Sequence, residues 1–169
     1  RGYKSKYEHE CLRQSSILAV KAHQAARNAF LQGDSEYDIQ QAYLKSIGYG
    51  TNDTPYGNIV ALNKNCSILH YMTLDKMTPQ AHQSFLIDSG ANFNGYSADI
   101  TRTYSYKNDK FSELIARMDK LMLNAVAGLK PGVSYVDLHI ETHRAIGQVL
   151  RDFNFINVEL IYISTWHFD

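Results

Sequence analysis

The sequence predicts an α+β protein in which helices flank an antiparallel sheet. Three observations indicate this class: two segments with helical spacing of apolar residues open the chain, four strand-like segments follow, and two more helical segments come after them. Strands that are grouped, rather than alternating with helices, favour antiparallel pairing under a helical layer. A chain of 169 residues is long enough for one such domain.

Two helices are predicted at the start of the chain. Residues 5–32 carry apolar side chains at helical spacing, and Gly33 is a suitable C-terminal stop. Ser35 is expected to begin the second helix as its N-cap, and Gly48 to end it. The next residues, 49–57 (YGTNDTPYG), have the composition of a loop.

Four runs rich in β-branched and aromatic residues predict strands. They are residues 58–62, 67–71, 84–88 and 97–106. An Asn-Lys-Asn turn at 63–65 is expected to join the first two into a hairpin, and residues 92–95 join the last two. Beyond them, residues 111–129 and 134–153 show the spacing of amphipathic helices.

Composition and charge exclude several classes of protein. Lys and Arg number 17, as do Asp and Glu, so the net charge of zero gives no electrostatic attraction to nucleic acid. No apolar run approaches the roughly 18 residues of a membrane-spanning helix. With only 2 cysteines the chain is no disulfide scaffold. We therefore expect a cytoplasmic protein that binds neither nucleic acid nor membrane.

Two acidic residues, Asp88 and Asp99, lie in the most informative segment, residues 86–104 (LIDSGANFNGYSADITRTY). If the turn is centred between Phe93 and Asn94, the two aspartates face each other across a hairpin, with Cβ atoms about 4.5–5.5 Å apart. Two ionised carboxylates in that position repel, and a cation between them removes the repulsion. Carboxylate oxygens suit a hard ion such as Mn²⁺ or Mg²⁺, so the pair predicts a metal site.

Other interpretations of the aspartate pair remain open. An aspartate that follows a strand and precedes Ser-Gly is often only a turn residue, and a shifted pKa would neutralise Asp88 without a metal. The pairing also depends on the assumed register, because a slip of one residue would break it.

Other polar side chains near the pair, or spaced like ligands, are candidates for the same chemistry. Thr101 follows Asp99 at strand spacing and is expected to support a ligand by a hydrogen bond, although Thr is also simply common in strands. His70 is predicted at the end of a strand of the same sheet, either as a proton carrier or as a structural histidine. His139 and His143 lie one helical turn apart and are interpreted as partly exposed helix residues.

The segment around the aspartates resembles the M24 metallopeptidases, which have the pita-bread fold. The resemblance rests on residues 88–91 (DSGA) and 95–103 (GYSADITRT), with supporting runs at 52–63 (NDTPYGNIVALN) and 69–71 (LHY). Two aspartates separated by 10 residues, the second followed by Ile-Thr-Arg-Thr, form a far more specific signal than a short glycine motif. Within the family the sequence is most similar to the prolidase branch, which includes organophosphorus acid anhydrolase.

The resemblance implies a reaction and a set of site residues. Asp88 would bind one of two divalent metal ions, usually Mn²⁺ in this family, and Asp99 would bridge both. His70 would contact the substrate near the scissile bond. A hydroxide activated by the metals would attack the carbonyl of a dipeptide with a C-terminal proline, with organophosphate hydrolysis as a side activity.

The sequence also departs from the family pattern. The family's three other metal ligands come from H-G-x-x-H, Glu-Pro-Gly and Arg-x-Glu-Asp segments, none of which occurs here. We therefore expect residues 1–153 to form the N-terminal half of the pita-bread catalytic domain, an incomplete fold. Residues 154–169 are expected to be a divergent tail, whose alternation weakly indicates one more strand.

Two functions are consistent with half of such a domain. The first is a dinuclear dipeptidase of which this chain is one part, with metal held weakly or not at all by two carboxylates alone. The second is a catalytically inert half-domain that serves as a binding or assembly module. Such a half-domain would leave one sheet face uncovered, and the exposed apolar surface would favour a homo-oligomer, at least a dimer.

Overall fold

A computed structural model describes residues 2–156 of the chain. The elements are α1 Lys6–Gln32, α2 Glu36–Ile47, β1 Ile59–Leu62, a 3₁₀ helix Asn63–Ser67, β2 Ser84–Ser89, β3 Asn92–Phe93, β4 Tyr96–Ser97, β5 Ile100–Ser105, α3 Lys110–Ala127 and α4 Tyr135–Asp152. The chain divides into two compact units, Arg1–Lys107 and Asn108–Asp169. The predicted α+β class with an antiparallel sheet is confirmed. The strand expected in the tail lies at residues outside those described, and no described helix is long and apolar enough to cross a membrane.

The first two helices begin and end where their sequence signals predict. Ser5 caps α1 in a capping box, in which its hydroxyl accepts from the Glu8 amide at 3.3 Å and Glu8 Oε2 accepts from the Ser5 amide at 2.6 Å. Gly33 and Gly48 end the two helices with φ angles of 91° and 71°. Such left-handed values suit glycine, which explains why both helices stop there.

The three-stranded sheet has the order β1-β2-β5, and both pairs are antiparallel. One face of it packs against α1 and α2, where rings and branched side chains fill the core; the Phe30 and Phe85 ring centroids, for example, are 5.2 Å apart. The core comprises Ala22, Ala26, Ala29 and Phe30 of α1, Ile39, Tyr43 and Leu44 of α2, Val60 and Leu62 of β1, and Phe85 and Ile87 of β2. Removal of this apolar surface from water stabilises the unit and leaves the other sheet face for polar residues.

The predicted strand at 67–71 and the hairpin turn at 63–65 are wrong. Residues 63–67 form a 3₁₀ helix, and no strand follows until β2. Asn63 adopts a φ of 53°, and its side chain spans the gap between strands: Oδ1 accepts from the Gln83 amide at 2.8 Å and Nδ2 donates to the Ala81 carbonyl at 2.8 Å. These contacts, distant in sequence, make β2 the partner of β1.

The predicted register of the aspartate hairpin is also wrong. Asp88 pairs with Thr101, not with Asp99, and the single strand expected at 97–106 is interrupted between β4 and β5. The turn residues are Asn94 and Gly95, whose φ angles of 49° and 80° are those of a type I′ turn. The turn centre is therefore one residue later than predicted, which changes each partner by two residues and leaves the side chains on the same face.

The second unit contains α3 and α4. Asp109 caps α3 by accepting from the Phe111 and Ser112 amides, and Ser134 caps α4. Arg117 Nη2 of α3 lies 3.0 Å from Asp152 Oδ2 of α4. The two helices predicted at 111–129 and 134–153 are confirmed.

Candidate metal site

Asp88 lies one residue before the end of β2, on the sheet face that points away from α1 and α2. Burial alternates along the strand, so Phe85 and Ile87 are buried against the helices while Asp88 is half-buried on the other side. Its neighbours across the sheet are Ile59 and Thr101. The Thr101 hydroxyl donates to Asp88 Oδ2 at 2.8 Å, so the threonine orients this carboxylate.

Asp99 lies between β4 and β5, where it is exposed and held by a tyrosine. The Tyr56 hydroxyl donates to Asp99 Oδ1 at 3.0 Å. Burial raises the pKa of Tyr56, and hydrogen bonds with Asp88 and then Asp99 raise it further. The phenol therefore stays protonated between two carboxylates. Although the aspartates are not directly opposed, Asp99 accepts from this hydroxyl and Asp88 lies close enough to raise its pKa.

Tyr56 is the site residue that sequence reasoning missed. It lies in the loop that precedes β1, and Ile59 of β1 pairs with Asp88. In an antiparallel pair, residues that precede Ile59 extend past the Asp88 end of β2. A long polar side chain three residues before Ile59 was the available signal, and the strand pairing needed to interpret it could not be derived from sequence alone.

The backbone between the two aspartates is anchored to the helices through its carbonyl groups. His23 of α1 binds the Ser89 carbonyl at 3.0 Å, the Tyr43 hydroxyl of α2 donates to the Gly90 carbonyl at 2.9 Å, and the Tyr49 hydroxyl donates to the Asn92 carbonyl at 2.7 Å. Ser89 and Asn92 also pair within the β2–β5 and β3–β4 ladders, whereas Gly90 lies between β2 and β3, where its carbonyl needs a partner from outside the sheet. The helical layer thus sets the path from Asp88 to Asp99.

A close backbone approach completes this path. The Ala98 amide donates to the Ala91 carbonyl at 2.9 Å. Gly90 lies so near the Ala98 carbonyl that a Cβ atom would collide with it, and Pro55 closes the other side. Glycine is therefore required here for space, and its absence of a side chain lets Asp99 return towards Asp88.

His70 is not at a strand end, contrary to the prediction. It lies in the loop after the 3₁₀ helix, exposed, with a φ of 53°. Within residues 2–156 its imidazole forms no hydrogen bond, so it is bonded to neither aspartate. His139 and His143 are exposed on α4 in the second unit with ring centroids 4.4 Å apart, as expected of surface helix residues.

The chemistry available around Tyr56 is that of oxygen donors with uncompensated negative charge. In the described part of the chain, neither Asp88 nor Asp99 forms an ion pair with a Lys, Arg or His. Two such carboxylates favour a cation, and carboxylate oxygens are preferred ligands of Mg²⁺ and Mn²⁺. No three His, Cys, Asp or Glu side chains cluster among residues 2–156, so the two aspartates would supply only part of a ligand set.

Solved structures share this architecture. An Escherichia coli aminopeptidase P structure, a low-pH form, superposes with a TM-score of 0.83 at 24% identity over 95% of this chain and 37% of that one. Pseudomonas aeruginosa aminopeptidase PepP gives a TM-score of 0.82 at 25% identity, again over 95% of this chain and 37% of that one. The chain has the fold class of the pita-bread peptidases, in incomplete form.

Sequence comparison gives the family directly. The profile described as "Metallopeptidase family M24" matches residues 10–159, and the chain belongs to this family. A protein named Xaa-Pro dipeptidase from Colwellia psychrerythraea strain 34H is 95% identical over 159 residues, which are 94% of this chain and 36% of that protein. One of the same name from Shewanella frigidimarina is 55% identical over 157 residues. The chain thus spans 36% of the length of these curated relatives.

Membership of a metallopeptidase family implies divalent metal ions. The donor set found here fits them in type, because Asp88 and Asp99 offer carboxylate oxygens on one sheet face with hydroxyl groups beside them. These two aspartates are the residues of the described chain that would hold such ions.

Replacement of Gly90 by alanine is expected to destabilise the first unit. The new Cβ would meet the Ala98 carbonyl oxygen, a backbone atom that cannot move without displacing Asp99. Overpacking of this kind costs about 1–3 kcal/mol. Urea denaturation followed by circular dichroism should show that loss, whereas Gly128→Ala, with its nearest neighbour at 3.4 Å, should stay within about 0.5 kcal/mol of wild type. Equal stability of Gly90→Ala and wild type would contradict the close approach.

The buried His23 is expected to make stability depend on pH. Its bond to the Ser89 carbonyl assigns the ring proton to Nε2, and Nδ1 is buried without a partner. Burial lowers the pKa of His23 from its ordinary 6.5. The unfolded chain therefore binds a proton that the folded chain does not. Stability is complete above about pH 6.5 and falls below it by up to about 1.4 kcal/mol per pH unit.

Denaturation midpoints measured between pH 5 and pH 8, a window of about three units around the ordinary histidine value, test this dependence. His23→Gln should flatten the curve, because glutamine can donate to the same carbonyl and does not titrate. The exposed His9→Gln serves as the control and should leave the curve unchanged. Identical curves for His23→Gln and wild type would show that another group causes the dependence.

Proposed function

We propose that this chain is part of a metal-dependent dipeptidase that hydrolyses dipeptides with a C-terminal proline, using two divalent metal ions, Mn²⁺ in the first instance. The single observation that carries the proposal is the convergence of Asp88 and Asp99 on the Tyr56 hydroxyl. The 95% identical Colwellia protein, named Xaa-Pro dipeptidase, supports the substrate class.

Each described residue has a distinct role in this proposal. When bound, divalent ions activate water and polarise the scissile carbonyl. Asp88 and Asp99 would hold these ions through their carboxylate oxygens. Thr101 fixes one oxygen of Asp88, which leaves the other oxygen for a metal. Tyr56 keeps the Asp99 carboxylate turned towards Asp88. His70 donates a hydrogen bond to the substrate near the bond that is cleaved.

The wider setting of the site is proposed on the same basis. Residues 1–153 would be the N-terminal half of the catalytic domain, and the complete enzyme would work in the cytoplasm as a homo-oligomer. Hydrolysis of organophosphates would be a side activity of the same centre, because it needs the same attack by an activated hydroxide on an electrophilic phosphorus.

A second candidate function is an inert assembly or binding module. Two observations favour it, the first being that the described chain offers two acidic ligands and no third one close to them. Apolar side chains on α3 and α4 are also exposed, among them Leu123, Val126 and Val136. Such surface would support self-association without catalysis.

A chimera in which this chain replaces the matching segment of a complete enzyme distinguishes the two candidate functions. The chain would replace the 159 matching residues of the Colwellia Xaa-Pro dipeptidase. With Mn²⁺ present, the chimera should hydrolyse a dipeptide that ends in proline, and the isolated chain should not. In the chimera, Asp88→Asn or Asp99→Asn should lower kcat/KM more than about a hundredfold, since each removes a metal ligand.

The control for charge is Asp119→Asn, an exposed residue of α3 whose loss should leave kcat/KM unchanged. Full activity of the Asp99→Asn chimera would overturn the assigned site. Turnover by the isolated chain would overturn the proposal that two ligands are insufficient. A folded but inactive chimera, with a chain that sediments as an oligomer, would favour the assembly module instead.

A further inference from the structure

Glu36 is a buried carboxylate in the first turn of α2 that the proposed reaction does not use. It is 1% exposed. Its Oε1 accepts from the Leu62 amide at 2.8 Å and from Asn65 Nδ2 at 2.9 Å. Its Oε2 accepts from the Tyr71 hydroxyl at 2.7 Å and from the Asp75 amide at 2.9 Å. Two hydrogen bonds on each oxygen fill the acceptor capacity of a carboxylate, and all four donors are neutral.

These four donors bracket His70 in the sequence. The first donor, Leu62, ends β1, and Asn65 follows it in the 3₁₀ helix. Beyond His70 the chain returns to Glu36 through Tyr71 and Asp75. The returning end is fastened again by the Tyr37 amide, which donates to the Asp75 carbonyl at 3.0 Å. Glu36 therefore closes residues 65–75 into a loop, called here the His70 loop.

The backbone of the His70 loop needs this closure. His70 has a left-handed φ of 53°, which a residue with a side chain adopts only where the surrounding structure imposes it. Further along the loop, the Met72 methyl group occupies the space that a Cβ on Gly57 would need. Gly57 adjoins Tyr56, which binds Asp99. The His70 loop is thus tied both to α2 and to the residues beside the aspartates.

From these contacts we infer that Glu36 is a positioning residue for His70, acting through the Tyr71 hydroxyl. The inference rests on the substrate contact proposed above for His70. Without the bond between Glu36 and Tyr71, the loop would relax from its left-handed conformation, and the imidazole would leave the place where it meets the substrate.

The Tyr71 hydroxyl, which donates to Glu36, keeps its proton under ordinary conditions. Burial raises the pKa of Tyr71, and the hydrogen bond to Glu36 raises it further. Tyr71 also receives a bond from Asn65 Nδ2 at 3.0 Å, so its hydroxyl is held from both sides of the loop. Tyr71→Phe removes this hydroxyl alone and retains the ring, which makes it the mildest variant that breaks the closure.

Amide hydrogen exchange on the 169-residue chain tests the closure without any reference to activity. Tyr71→Phe and Glu36→Gln should speed exchange in the His70 loop by about tenfold or more, the effect of a lost hydrogen bond to a charged group. Exchange in β2 and β5 should not change. Tyr104→Phe, which removes a hydroxyl from β5 in the same unit, is the matched control. Unchanged exchange in the loop, or equal acceleration throughout the unit, would overturn the inference.

A double-mutant cycle in the chimeric enzyme tests whether the closure acts through His70. Tyr71→Phe should lower kcat/KM about tenfold when His70 is present and have little effect in the His70→Ala background, because coupled residues are non-additive. A purely structural role would give the same loss in both backgrounds and would overturn the positioning role. If His70→Ala alone leaves kcat/KM unchanged, the proposed substrate contact of His70 fails, while the exchange experiment still reports on the closure.

Discussion

The structure depends most on the attachment of the backbone between Asp88 and Asp99 to α1, to α2 and to the residue that follows the C-cap of α2. His23, Tyr43 and Tyr49 each bind a carbonyl group in this short stretch. Gly90 lies between β2 and β3, outside both ladders, so its carbonyl would lack a partner without the Tyr43 hydroxyl. Because His23 and Tyr43 come from packed helices and Tyr49 follows α2 directly, the position of Asp99 beside Asp88 is set largely by the core.

Buried polar groups have a second use in this unit, at the opposite end of the same strands. Glu36 receives four hydrogen bonds and holds the loop that carries His70. In both arrangements, nearly every buried polar group has a hydrogen-bond partner. Such networks favour a single conformation as well as stabilising it. The first unit is thereby a scaffold that offers two carboxylates on its outer sheet face. With the chain spanning 36% of its relatives, the rest of a ligand set is proposed to come from outside the described residues.

The parts of the fold that sequence predicts are those fixed by local chemistry. Gly33, Ser35 and Gly48 mark helix ends because capping involves only neighbouring residues. The strand expected at 67–71 fails because distant partners, Glu36 and Gln83, bind the residues around it. The aspartate pair was predicted on the correct sheet face with the wrong partner. A shift of two residues keeps each side chain on its face, because side chains alternate with a period of two, but it changes the residue directly opposite. Tyr56 could not be predicted, because its role arises only once β1 and β2 are paired.

The most direct test is calorimetric titration of the chain with Mn²⁺, comparing wild type, Asp99→Ala and the exposed control Asp119→Ala. If the two aspartates form part of a metal site, wild type and Asp119→Ala should bind Mn²⁺ alike, weakly. Asp99→Ala should bind at least about tenfold more weakly, a difference of about 1.4 kcal/mol. Equal binding of Mn²⁺ by wild type and Asp99→Ala would contradict the assignment of the pair as metal ligands.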